Sequence, residues 1–142
     1  MSRENVEALR AFVEDFLAGT NESDREVMLT RIASLWDPEI EWDSSEIAVP
    51  DLAGVVRGRE AVRRTWGEFL AAWENMRFEY ELVDAGDSVL LLLDQRMRGR
   101  STGIEVALGM NAHVVTFKDG LIVRWKLYRG QSEALKALGL EE

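Results

Sequence analysis

Residues Gly103–Gly130, GIEVALGMNAHVVTFKDGLIVRWKLYRG, decide how the rest of the 142-residue chain is read. Apolar and polar residues alternate on either side of Lys118-Asp119-Gly120, which predicts two antiparallel strands joined by a tight turn. The only histidine of the chain, His113, falls in the middle of the first strand. Side chains two apart share a strand face, so Asn111, His113, Val115 and Phe117 project together. Val123, Trp125, Leu127 and Arg129 form the apolar face of the returning strand, whereas Arg124, Lys126 and Tyr128 are more polar. His113 and Asn111 are therefore expected to point inward, among aromatic rings.

The same period of two extends upstream. Phe78, Tyr80 and Leu82 alternate with charged residues, and Gly86-Asp87 turns the chain. From Ser88 to Arg98, Leu91, Leu93, Gln95 and Met97 share one face, and Leu90, Leu92, Asp94, Arg96 and Arg98 the other. Both faces are apolar at the start of this strand, so both are expected to be covered, one by helices. The other is expected to expose Leu90 and Leu92 in a monomer, which predicts a homodimer through the outer sheet face.

The first half of the chain has helical spacing. Val6, Leu9, Val13, Phe16 and Leu17 mark a helix over 3–17, ended by Gly19 and Thr20-Asn21. A second helix over 24–36, capped by Ser23 or Asn21, places Val27, Met28, Ile32, Leu35 and Trp36 inward and stops at Asp37-Pro38. Ile40–Asp43 alternates as a short strand, and Ser44–Arg57 reads as a loop across an opening. A third helix over 59–75 carries Val62, Trp66, Phe69, Leu70 and Trp73 on one stripe. So aromatic a stripe suits core packing and suits a pocket wall. Gln131–Leu138 forms a short amphipathic helix. Helices followed by a run of antiparallel strands predict an α+β fold: a cone-shaped, curved antiparallel sheet with helices packed on its concave face, enclosing a pocket. One domain spanning 1–142 is expected.

Composition removes several functions. A net charge of −9 argues against nucleic-acid binding. No apolar run approaches the roughly 20 residues of a membrane span, and the N-terminus has no apolar signal core, so a cytoplasmic protein is expected. One histidine and no cysteine leave too few nitrogen or sulfur ligands for an ordinary zinc site, and no Gly-rich phosphate loop or GxSxG elbow is present. Neither a metal nor a cofactor is expected.

The segments DPEIEWDS (37–44), GREAVRRTWGEFL (58–70) and HVVTFKDGLIVRWKLY (113–128), in this order of elements, resemble the nuclear transport factor 2-like superfamily. Within it the chain is most similar to the SnoaL-like polyketide cyclases, and more distantly to ketosteroid isomerase. The resemblance specifies fold well and activity poorly. It places Asp43 where the isomerase has its base aspartate. His113 falls at the isomerase's neutral hydrogen-bond donor, and Phe12 where a first-helix tyrosine donates to the same oxyanion. The epoxide hydrolases of the superfamily use an Asp-Arg-Asp set; Asp94 and Arg96 match it in type but lie on the opposite face from Gln95.

Two readings stand. In the first, Asp43 and His113 are catalytic in a cofactor-independent cyclase or isomerase. Asp43 abstracts a carbon-bound proton, and His113, helped by Asn111, stabilises the enolate of a hydrophobic carbonyl compound. In the second, the same cavity binds a small hydrophobic molecule without catalysis. Phe12, Phe16, Trp66, Phe69 and Trp73 would line it from the helices, and Gln95, Asn111, Trp125 and Arg129 from the sheet.

Overall fold

Residues 2–20, 25–46 and 54–139 are described by the structure, a computed structural model. The elements run α1 (Ser2–Thr20), α2 (Arg25–Ala33), β1 (Trp36–Asp43), β2 (Val55–Arg57), α3 (Arg59–Ala72), β3 (Trp73–Ala85), β4 (Ser88–Gly99), β5 (Glu105–Lys118), β6 (Leu121–Tyr128) and α4 (Gln131–Ala137). Six strands form one curved sheet in the order β2-β1-β6-β5-β4-β3. The turn between β5 and β6 holds Asp119 at φ 54° and Gly120 at φ 81°, the paired left-handed conformation of a two-residue hairpin loop.

The sheet is mixed rather than wholly antiparallel, because β1 runs parallel to β6. Alternation at Ile40–Asp43 identifies a strand, but carries no information about which distant edge it joins or in which direction. The chain also leaves α2 earlier than expected. The helix ends at Ala33, and Trp36, read as helical, already begins β1. Pro38 sits inside β1, where the pairing with β6 is irregular between Trp36 and Glu41, so its missing N–H breaks no regular ladder bond. Val27 is 56% exposed; Met28, Leu29, Ile32 and Ala33 form the buried side of α2. The expected caps at Asn21 and Ser23, the helix start at Asp24 and half of the crossing loop (47–53) lie outside the described residues.

Two further boundaries shift for the same reason: long-range pairing outweighs local period. Trp73 adopts extended backbone (φ −126°, ψ 152°) and opens β3 opposite Gly99 instead of closing α3. Val55–Arg57, read as loop, pairs with β1 as a short edge strand. In β6, a bulge aligns Thr116 with Arg124 and Phe117 with Ile122, leaving Val123 as the extra residue. Ile122 rather than Val123 therefore joins Trp125 in the core.

The sheet separates two cores. The larger one gathers α1, α2 and α3 on one face, with Leu9, Ile32, Trp36, Val62, Leu91, Leu93 and Trp125 all buried. On the other face Leu90, Leu92, Ala112, Val114, Tyr128 and Ala134 form a second cluster, with Leu135 and Leu138 packed against it. Leu90 and Leu92 are 1% and 6% exposed within the single chain. The expectation that a monomer exposes them is overturned, because α4 folds back over this face. The ground on which a homodimer was expected is thereby removed.

Candidate active or binding site

A cavity of about 560 Å³ lies between the helices and the inner face of the sheet. Its roof is Phe12, Val13 and Phe16 of α1 with Thr65, Trp66 and Phe69 of α3. Trp42, Phe78, Tyr80, Leu91 and Leu93 line it from β1, β3 and β4, with Gln95 further along β4. Asn111 and His113 enter from β5, Trp125 and Leu127 from β6, and Arg129 from just beyond β6. No aspartate or glutamate is among these residues.

Trp66 is the hub of the aromatic wall. It meets Phe12, Phe16, Trp36, Trp42 and Trp125 edge-on, with ring centroids 5.2–5.8 Å apart and interplanar angles of 65–87°. Such pairs contribute roughly 0.5–1.5 kcal/mol each beyond area burial, so the wall is rigid before any ligand arrives. The indole nitrogens of Trp36, Trp42 and Trp66 are buried without a hydrogen-bond acceptor among the described residues.

His113 is 9% exposed and lines the cavity. Its Nδ1 accepts a hydrogen bond from Trp125 Nε1 at 3.0 Å. An indole nitrogen can only donate, so Nδ1 carries a lone pair and the neutral ring holds its proton on Nε2. Burial lowers the histidine pKa from 6.5 to about 3, so the ring is neutral at physiological pH. His113 thus offers one N–H donor and is a poor proton acceptor.

Asp43 is placed elsewhere. Trp42 pairs with Trp125, and both line the cavity; Asp43, the next residue, pairs with Lys126. Lys126 in turn pairs with Val114 of the outer cluster, so Asp43 faces away from the cavity. Its Oδ1 accepts from the Ser45 backbone N–H at 3.0 Å and the Ser45 hydroxyl at 2.6 Å. Oδ2 lies 3.8 Å from Arg124 and 3.9 Å from Lys126. Burial alone would raise its pKa, but the Ser45 hydrogen bonds and the Lys126 and Arg124 charges outweigh it, and the net direction is down. The structure does not bring Asp43 and His113 together.

Of the nine residues expected to contact a ligand, eight line the cavity: Phe12, Phe16, Trp66, Phe69, Gln95, Asn111, Trp125 and Arg129. Trp73 does not; its ring is tilted 38° against Phe69, with ring centroids 6.4 Å apart. Sequence reading missed Val13 and Thr65 on the helices, and Trp42, Phe78, Tyr80, Leu91, Leu93 and Leu127 on the strands, as lining residues. Strand parity held the signal for the six on strands. The Tyr80 hydroxyl is turned to the Glu14 carboxylate of α1, so that ring presents mainly carbon to the cavity.

The family model for the SnoaL-like domain matches residues 13–125. No curated protein matches the sequence. Among solved structures, an NTF2-like protein of unknown function from Burkholderia pseudomallei superposes with a TM-score of 0.73 at 19% identity, over 95% of this chain and 97% of that one. An NTF2-like protein from Burkholderia thailandensis gives 0.64 at 27% identity, over 93% and 96%. TerC, co-crystallised with polyporic acid, gives 0.62 at 21% identity, over 89% and 96%.

Proposed function

The chain belongs to the SnoaL-like domain family, and within it we propose that this protein is a non-catalytic receptor for a small hydrophobic molecule bearing a hydrogen-bond acceptor. The supporting observation is the lining of the cavity: rigid aromatic walls, no carboxylate, and a neutral His113 held as a donor. Burial of flat apolar surface supplies affinity, and a few placed polar groups supply orientation. A volume of about 560 Å³ suits a molecule of several rings. That TerC, of the same fold, was co-crystallised with polyporic acid is consistent with a cavity of this kind taking a small organic molecule.

A cyclase or isomerase reading draws on the same donor. His113 Nε2–H would polarise a carbonyl oxygen, as an oxyanion-hole donor does. Among the described residues the proton abstraction such a reaction needs lacks a base in the cavity, because the one buried carboxylate among them, Asp43, faces Lys126. Binding without turnover is therefore the better reading.

Tryptophan fluorescence distinguishes them, since Trp42, Trp66 and Trp125 all line the cavity. Titration with polycyclic ketones and phenols is expected to quench saturably and return the ligand unchanged by mass spectrometry. Conversion of the ligand, or solvent deuterium incorporated next to its carbonyl, would overturn the non-catalytic reading.

A further inference from the structure

Resting on the binding reading above, we propose that the ligand is an aromatic carboxylate, seated with its acid group on Arg129 and its ring system running inward to His113. With His113 neutral, Arg129 is the only ionised side chain lining the cavity among the described residues. Its Nε donates to the Glu46 carbonyl at 2.8 Å, and among the described residues no partner occupies its two terminal amino groups. Two parallel N–H donors on one end of an arginine match the two oxygens of a carboxylate.

Neighbouring cations are already matched. Arg124 pairs with Glu41 and Asp43, Lys126 with Asp43 and Glu46, and Arg57 with Glu41. Arg129 has no carboxylate partner among the described residues. In a chain of net charge −9, an arginine unmatched among the described residues, at the rim of an apolar cavity, is a local exception to a field that repels anions.

Asn111 and His113 share the inner face of β5, and Gln95 adds a third polar group on β4. The β5–β6 register ends at Ala112 opposite Tyr128; extended by one residue, it sets Asn111 across from Arg129. Polar groups thus run along the sheet from the rim to His113, beneath a roof of Phe12, Phe16, Trp66 and Phe69. A flat molecule with oxygens along one edge satisfies both surfaces, and its charged end lies at the one cation.

The test compares anthraquinone-2-carboxylate with its neutral methyl ester, by tryptophan quenching and calorimetry at pH 7.5. Arg129 is exposed, so its pair with the acid is screened by solvent, and the acid is expected to bind about three- to fivefold more tightly than the ester. In Arg129→Gln that preference is expected to collapse to within about twofold, with Arg129→Lys intermediate because it keeps the charge and loses the paired donors. Equal binding of acid and ester by the unaltered protein would overturn the carboxylate assignment and leave the binding reading standing. A preference that survives in Arg129→Gln would overturn it as well. If neither compound binds, the binding reading falls, and this inference with it. Because the acid–ester comparison is made first on the unaltered protein, the outcome does not depend on either variant folding.

Discussion

Trp125 Nε1 donates to His113 Nδ1 at 3.0 Å inside the core, and this one bond decides what the histidine can do. It fixes the tautomer with the proton on Nε2, so the ring presents a donor to the cavity. Long-range proton–nitrogen NMR reads this directly: in the free protein Nε2 is expected to show the protonated shift and Nδ1 the bare one at pH 7. Trp125→Phe keeps a ring and removes the donor. Exchange between the two tautomers, together with a loss of about 1 kcal/mol in stability, is then expected. A single Nε2–H tautomer persisting in Trp125→Phe would mean that something other than the indole sets it.

Stability is expected to fall on acidification in a window that belongs to His113. The folded pKa is depressed to about 3 while the unfolded chain titrates near 6.5, so below 6.5 the unfolded state binds a proton that the native state refuses. One such proton changes stability by about 1.4 kcal/mol per pH unit, in the direction of loss as pH falls. Asp43 acts lower, below its unfolded value of 3.8. Urea unfolding at pH 6.5, 5.5 and 4.5 checks the slope. His113→Asn keeps an oxygen to accept from Trp125 and cannot titrate in this window; its stability is expected to be flat there. An equal slope in the variant would assign the pH dependence to other groups.

Asp43→Asn separates structure from ligand recognition. Asparagine retains an oxygen for Ser45 but gives up the charge that faces Lys126 and Arg124. A cost of roughly 1 kcal/mol at pH 7 is expected. Asp43 has a lowered folded pKa, so this contribution is present above about 3.8 and is lost as pH falls further. The difference between variant and parent is therefore expected to shrink as pH falls below 3.8. Affinity for cavity ligands is expected to stay within about twofold, and a large drop would show that Asp43 reaches the cavity after all.

How far the site was legible follows from which residues rest on local parity. Asn111, His113, Gln95 and Trp125 sit on regular strands, and period-two counting placed them on the cavity face. The same counting applied to Ile40 and Trp42 puts Asp43 on the opposite face; the resemblance to an isomerase base drew attention to the wrong member of the pair. Val123 failed because a bulge adds a residue that no local pattern announces. Trp73 failed because pairing with Gly99 overrides a helical stripe that would otherwise continue. Leu90 and Leu92 were read correctly as an outer apolar face. What covers them is a tertiary event, the return of α4, and the amphipathic Gln131–Leu138 segment contained that answer without saying where it docks.

Gly19 tests the packing that roofs the cavity. Glycine inside a helix ordinarily costs about 1 kcal/mol relative to alanine, so Gly19→Ala taken alone should stabilise α1. A Cβ at this position would collide with Cβ and Cγ of Met28 on α2. Cγ is part of a flexible side chain, but Cβ is tied to the α2 backbone and cannot retreat without moving the helix. Overpacking of this kind costs about 1–3 kcal/mol, which exceeds the helical gain. Gly19→Ala is therefore expected to lower stability. Because Met28→Ala removes Cγ but keeps Cβ, the double variant is expected to recover only part of the loss relative to Met28→Ala alone. Full additivity in the double-mutant cycle would show that the two residues do not touch, and the close approach of α1 and α2 would have to be assigned to other contacts.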